Sequence, residues 1–542
     1  MPPSPTDRSP TAQRALWWML LGCSLAAAGV FVFAVSQRLA YPYELEWMEG
    51  AMVDHSSRVA NGLPIYCEPG PEHVPFLYAP MLFWLGGLLM KVGLPGLFAL
   101  RLVATAATIG CALLIGHWVR RATGGVAPGL VASGVFFAGY GWLAWWYDLA
   151  RNDGLFVLLC LGTAYVLRYG GARRWLVAAG LATAAVLAKQ SALIWLPAIG
   201  VGALCHDWRV AVRFAVATLA GVGITTGAMH LASDGWSTFY LFEMPRHHGW
   251  NGDRKLGFWT EDLLPMLPLV GLGLLGFVAQ WRSGARREAL FLGAFGSGGL
   301  MTSWFSRLHV GGFDNVLLYG FAGACVLGPV AAASLSTAAG ARWQQLAAPV
   351  LLLVQFAWLG EAAWQRDPGT TLLPSAAHRR AHEELFAFVQ AQPGPVWIPG
   401  HGGISLRAGK GTGAHGQAIF DLLQLLPRAP DGSLDLSALV DREKLGDLSP
   451  RGRAAITIWA DRTGAALMER RFAAIVADLF GSPPVDAWGG LYAYLVAGAG
   501  GHAGTGDDPY VRRPGALLTD PRAIDPLLGY EVHSPYVMLP RR

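Results

Sequence analysis

The chain has 542 residues, a formal net charge of +5, 53% hydrophobic residues and only 14% charged ones. Soluble chains usually carry about 25% charged residues, so these figures exclude an ordinary soluble globular protein and predict a polytopic α-helical membrane protein. The positive charge does not argue for nucleic acid, because the arginines cluster in short loops between apolar runs.

Residues 1–14, MPPSPTDRSPTAQR, read as a polar cytoplasmic tail. The run 15–37 lacks a small-residue cleavage site and reads as a retained helix, not a removed signal peptide. Further spans are expected at 96–119, 126–145, 153–169, 174–188, 191–206, 212–232, 262–281, 287–304, 314–334 and 343–361, making about eleven. Under this count Arg8, Arg14, Arg120, Arg121, Arg168, Arg173, Arg174, Arg209, Arg213, Arg282, Arg286, Arg287 and Arg342 all fall on one side. Basic residues in short loops mark the cytoplasmic side, so the N-terminus is expected in and the C-terminus out. The loop 38–95, the Asp148–Asp153 cluster, Lys189, the 233–261 loop and the Arg307–Asn315 loop then face outward. Pro80–Val92 is apolar but too short to span, and it predicts an interfacial or re-entrant helix.

Residues 15–364 therefore form the expected membrane domain. Residues 365–542 are more polar and predict a small extracytoplasmic α/β domain. Its expected strands are Pro395–Ile398, Ala454–Trp459 and Leu491–Val496, and its expected helices are 376–391, 416–426 and 466–479. No internal repeat or inverted symmetry of the transporter kind is visible.

The first outside loop, YPYELEWMEGAMVDH, holds Glu44, Glu46, Glu49 and Asp54. Carboxylates at a membrane face are expensive to keep near lipid and are functional candidates. Glu46 and Glu49 share a face if the segment is helical, and one of them can serve as general base toward an acceptor hydroxyl. The competing reading is a solvated acidic loop. Asp148, Arg151 and Asp153 form a second cluster. Arg151 suits a phosphate; otherwise the group is a helix-end cluster with Asp153 as the cap. Lys189-Gln190 interrupts an apolar stretch, where a lysine binds an anion or snorkels to the interface. Arg307, His309, Asp314 and Asn315 lie in SRLHVGGFDN, where Arg307 and His309 suit a lipid phosphate or form a solvated basic rim; for Arg246, His247 and His248 the rim reads better.

Three motifs fail. GISLRAGKGTG lacks P-loop spacing, and Gly411 replaces its Ser/Thr. His382-Glu383-Glu384 lacks a second His four residues on, and His401 and His415 have too little support for a metal site. The six cysteines have no metal or redox spacing.

The order of these pieces resembles the membrane glycosyltransferases of the C superfold, in particular their family-39-like members, the protein O-mannosyltransferases and the aminoarabinose transferase. The resemblance rests on Glu46-Trp47-Met48-Glu49-Gly50, Asn61-Gly62-Leu63-Pro64-Ile65-Tyr66, Phe76-Leu77-Tyr78-Ala79-Pro80, Arg151-Asn152-Asp153-Gly154-Leu155 and Lys189-Gln190. It covers residues 15 to about 335. Two departures stand out: Glu replaces the Asp of many relatives in the first loop, and Tyr78-Ala79-Pro80 replaces the Lys-Pro-Pro of some.

The resemblance implies a polyprenyl-phosphate sugar donor, an extracytoplasmic acceptor (glycan, lipid or protein), inversion at the anomeric carbon and a site at the outer face of the plasma membrane. It implies an acidic base in the first outside loop, Glu46 or Glu49; Glu46 is preferred because it starts the acidic helix near the membrane surface, with Glu49 and Asp153 in support. Lys189, Arg307 and Arg151 would bind the donor phosphate, and Tyr78, His309, Asn315 and Asp148 the substrates. The sequence points to no cofactor and leaves a divalent cation open, for which Glu49 is a candidate. A transporter predicts the inverted repeats that are missing. An O-antigen-ligase-like or polymerase enzyme predicts a large outside loop rich in Arg and His, against the acidic first loop here.

Overall fold

Long apolar runs become helices, some of them continuing through an internal proline such as Pro197, Pro329 or Pro349. The computed structural model describes residues 11–337, 342–366, 371–480, 487–501, 508–513 and 532–541. In chain order the first helices are α1 (Thr11–Arg38), α2 (Glu49–Ala60), α3 (Met81–Lys91), α4 (Gly96–Thr123), α5 (Val126–Trp142), α6 (Asp153–Tyr169), α7 (Arg174–Ala188), α8 (Ala192–His206) and α9 (Trp208–Ala232). Leu267–Arg282, Arg286–Leu308, Leu318–Thr337 and Arg342–Arg366 complete the bundle. Each expected span overlaps one of these helices. Six helical stretches among the described residues are long and apolar enough to cross a membrane by length and composition. In α9, Leu219, Ile224 and Leu231 are 74%, 71% and 82% exposed. An apolar face of that kind is unfavourable in water and natural in hydrocarbon.

α5 stops earlier than its expected span. Ala144 and Trp145 adopt left-handed backbone, with φ of 50° and 60°, which non-glycine residues rarely do. Arg38 holds this turn by donating to the Trp145 carbonyl at 3.1 Å. The chain then folds back through Trp146–Asp148 toward the first outside loop.

Beyond residue 370 a four-stranded sheet has the order β1-β2-β4-β3. β1 (Val396–Trp397) runs parallel to β2 (Ala474–Phe480), and β4 (Val532–Pro540) lies antiparallel between β2 and β3 (Tyr510–Arg513). The 376–391 helix and β1 are found where expected. Three other expectations are corrected. Ala454–Trp459 lies inside helix Pro450–Met468, where Ser449 caps Gly452 N and Pro450 takes the first turn. Leu491–Val496 lies in helix Ala487–Gly498. Residues 474–479 are strand, not helix. Ile475 and Ala477 pack into one core and Ala474 and Val476 into another. A strand buried on both faces shows no polar alternation.

The C-terminal region does not stand apart. One hydrophobic core joins Trp47–Phe83 of the first loop to Trp236–Met244 and to Trp397, Leu422 and Trp459. Backbones touch at this seam: a Cβ on Gly50 would lie 1.9 Å from the Gly402 carbonyl oxygen. Glu44 accepts from Gly50 N at 2.9 Å and pairs with His401 Nδ1 at 2.7 Å, while Asp54 accepts from Gly403 N at 3.1 Å. His401 and His415 thus brace the first loop, His415 meeting the Trp47 carbonyl at 3.1 Å.

Candidate active site

The acidic loop is folded inward rather than solvated. Glu44, Glu46 and Glu49 are at most 2% exposed. Glu49 opens α2, and its carboxylate takes Arg101 Nε at 2.9 Å and Nη2 at 2.5 Å. It also accepts from Leu45 N at 2.7 Å and Ala150 N at 2.8 Å. Burial opposes its charge, but Arg101 and these hydrogen bonds prevail, and the carboxyl lies below its ordinary value. Every lone pair is spent on protein. Glu49 is therefore a tie between the first loop, α4 and the α5–α6 turn. It has no room for the cation or the proton-transfer role expected of it.

Glu46 has a different environment. Arg151 Nη1 lies 3.4 Å from both its oxygens, and Met48 N donates at 3.2 Å. Burial lifts its carboxyl to about 8, with Arg151 pulling the other way. A crevice of about 30 Å³ opens on Glu46 between Tyr78, Trp146, Arg151, Gly311 and Gln417. That is room for one hydroxyl or water.

The crevice shares Tyr78, Arg151, Val310, Gly311 and Gln417 with a larger cavity of about 350 Å³, a size in the range of small-molecule sites. Lys189, Asn315 and His309 line it as well. Arg151 lies over the Tyr78 and Trp146 rings at 5.5 and 5.2 Å and reaches the Tyr78 hydroxyl at 3.3 Å. Lys189 sits at the extended break between α7 and α8, where Asp153 holds its ammonium at 2.6 Å. Asp153 also accepts from Tyr319 at 2.7 Å and Asn315 at 3.0 Å. It is thus the anchor of Lys189, with its oxygens engaged. Burial lowers the Lys189 pKa, against the pull of Asp153. Lys189 and Arg151 are thus the two basic side chains on the cavity wall, and Asp153 orients Lys189.

Two expected residues lie elsewhere. Arg307 gives a bidentate pair to Asp262 at 2.8 and 3.1 Å, and binds Asp314 at 3.0 Å and the Gly312 carbonyl at 2.8 Å. It faces a neighbouring polar recess with Arg254 and Arg366, because these acids claim its fork. Asp148 is sealed by Arg38 at 3.1 Å and the Tyr140 hydroxyl at 2.7 Å.

The cavity also has walls that the sequence reading missed. Gln417 and Asp421 come from helix Gly416–Leu423 of the C-terminal region, and His248 and Trp250 from the 233–261 loop. The available signal was a lone acid in the apolar run IFDLLQLL. Among the described residues no group of three or more His, Cys, Asp or Glu is placed to hold a metal ion.

Comparison with solved structures bears on the fold. ArnT from Cupriavidus metallidurans bound to undecaprenyl phosphate aligns over 77% of this chain and 89% of its own, with a TM-score of 0.52 and 12% identity. The archaeal oligosaccharyltransferase AglB from Archaeoglobus fulgidus, in complex with an inhibitory peptide and a dolichol-phosphate, aligns over 95% of this chain and 74% of its own. Its TM-score is 0.51 and its identity 10%. The chain shares the overall fold of these two membrane proteins. No family model matches the sequence, and no curated protein matches it significantly. At such identities the chain shares an architecture with these neighbours, and its site must be argued from its own residues.

Proposed function

We propose that the protein transfers a sugar from a polyprenyl-phosphate-linked donor to an extracytoplasmic acceptor, with inversion. In this reading it spans the membrane about eleven times, with its N-terminus in the cytoplasm and residues 365–542 outside. The observation that carries the reading is the crevice on the buried carboxyl Glu46, which adjoins a cavity lined by Lys189 and shares Arg151 with it. The lipid phosphates bound to ArnT and AglB support a phosphate-lipid donor for this fold.

The acceptor hydroxyl enters the Glu46 crevice and attacks the anomeric carbon. Its proton passes to Glu46 as the new C–O bond forms. The bond from the anomeric carbon to the phosphate oxygen breaks on the opposite face, and the electron pair leaves with the lipid monophosphate. Lys189 and Arg151 stabilise the charge that develops there. Asp153, Asn315 and Tyr319 keep Lys189 in position, and Tyr78 steadies Arg151. Arg307 braces the neighbouring recess through Gly312, Asp314 and Asp262.

The test is binding of undecaprenyl phosphate to the purified protein. Wild type should bind it, and a Lys189→Ala/Arg151→Ala double variant that keeps its fold should not. Equal binding by both would overturn the assignment of the phosphate site.

A further inference from the structure

Helix Gly416–Leu423 is amphipathic, yet its buried face carries an acid. Asp421 is 1% exposed among Ile419, Leu422 and Leu423. Burying a carboxyl without a strong partner costs several kcal/mol unless it stays protonated, and burial does push Asp421 well above its ordinary value. Its Oδ1 accepts from Gln417 Nε2 at 2.5 Å. Gln417 is the hydrogen-bond partner that Asp421 has among the described residues. His248 Nε2 stands 3.5 Å from Oδ1, too far for a good bond. That nitrogen has no hydrogen-bond partner among the described residues, although the side chain is 4% exposed. The ring stacks on His309, their centroids 4.9 Å apart. Both Asp421 and His248 line the cavity of Lys189 and Arg151. A buried polar nitrogen left unspent, as in His248, is unusual in a finished interior.

We propose that Asp421 and His248 form the subsite that binds hydroxyl groups of the donor's sugar, so that the C-terminal region helps select which sugar is transferred. This rests on the donor reading above and deepens it. Gln417 lies one turn before Asp421 and faces both the cavity and the Glu46 crevice. The anomeric carbon must sit between the phosphate and Glu46. The rest of the ring then extends along the wall that carries Gln417, Asp421 and His248. A hydroxyl both donates and accepts. One hydroxyl placed between His248 Nε2 and Asp421 satisfies both groups, which a phosphate oxygen beside a carboxyl would not. Burial lowers His248 to about 4 and pushes Asp421 well above its ordinary value, so this wall favours hydroxyls over charged groups. The class expected is therefore a neutral, hydroxylated hexose or pentose, not a uronic acid.

The test compares full-length wild type, Asp421→Asn and His248→Gln in lipid nanodiscs. Two probes are used: undecaprenyl phosphate alone, and undecaprenyl phosphate carrying each of a set of neutral hexoses and pentoses. Wild type should prefer one sugar-bearing lipid over the bare lipid phosphate. Each variant should keep the bare-lipid affinity within about twofold and lose at least about tenfold on the preferred sugar-lipid, as expected for one lost hydrogen bond in a dry site. If Asp421→Asn fails to fold, His248→Gln decides by the same criterion. A sugar preference unchanged in the folded variants, or equal weakening of both probes, overturns the proposal and leaves the pair as packing. Wild type that binds the bare lipid without any sugar preference also overturns it. Wild type that binds neither probe refutes the donor reading itself, and the subsite with it.

Discussion

Replacing Glu46 by Gln should remove the base and leave the shape. General-base help is typically worth about 10²–10⁴ in rate, or roughly 3–5 kcal/mol of barrier. Sugar transfer from the lipid-linked donor should therefore fall at least about a hundredfold. The wild-type pH profile follows from the carboxyl's position near 8. Only the ionised form accepts a proton, so kcat/KM should rise with pH and level off above about 8. Stability runs the opposite way. A carboxyl whose folded value lies above its unfolded one holds its proton longer in the folded state. Its stabilising share is complete below the ordinary 4.5 and is lost as pH rises through about 8. At about 1.36 kcal/mol per pH unit the loss approaches 5 kcal/mol, on the order of magnitude. Gln has no such dependence. Thermal melts at about pH 5.5 and about pH 9 should show Glu46→Gln gaining on wild type at the higher pH. A wild-type rate flat from about pH 6 to 9, with a Gln variant within threefold of it, would refute the base assignment.

Single variants should separate the basic residues. Lys189→Ala or Arg151→Ala should weaken undecaprenyl phosphate binding at least about tenfold, while Arg307→Ala should leave that affinity nearly intact and lower the melting temperature instead. Arg101→Met should destabilise by about 3–5 kcal/mol in denaturation, because it strands the fully buried Glu49 charge; a change under about 1 kcal/mol would deny Glu49 its structural role. A reporter enzyme active only outside the cytoplasm, fused after Arg542, should be active, and a cytoplasmic-only reporter working there would reverse the topology.

Glu46, Arg151 and Lys189 were legible in the sequence because a charge amid apolar surroundings carries a cost that demands a reason. The helices were legible because their apolar runs are long. The roles of neighbouring charges were not, since those depend on partners far along the chain. Glu49 resembles Glu46 in sequence, but only Glu49 meets Arg101 and two backbone amides. Arg307 looked like a phosphate ligand until Asp262 was placed beside it. His248 read as a solvated rim, yet it is covered by the helix that carries Asp421. In the C-terminal region the apolar segment Ala474–Ala477 gave no period to read, because both faces of β2 are buried. The Ser449-Pro450 pair was the overlooked helix start.

The central claim is that one cavity holds the donor's phosphate against Lys189 and Arg151 with its sugar turned toward Glu46. A structure with an undecaprenyl-phosphate-linked sugar bound tests it most directly. The account predicts phosphate oxygens within about 3 Å of Lys189 Nζ and the Arg151 guanidinium, and the anomeric carbon facing the Glu46 crevice. A phosphate seated instead in the recess of Arg254, Arg307 and Arg366, with the Lys189 cavity empty, would contradict it.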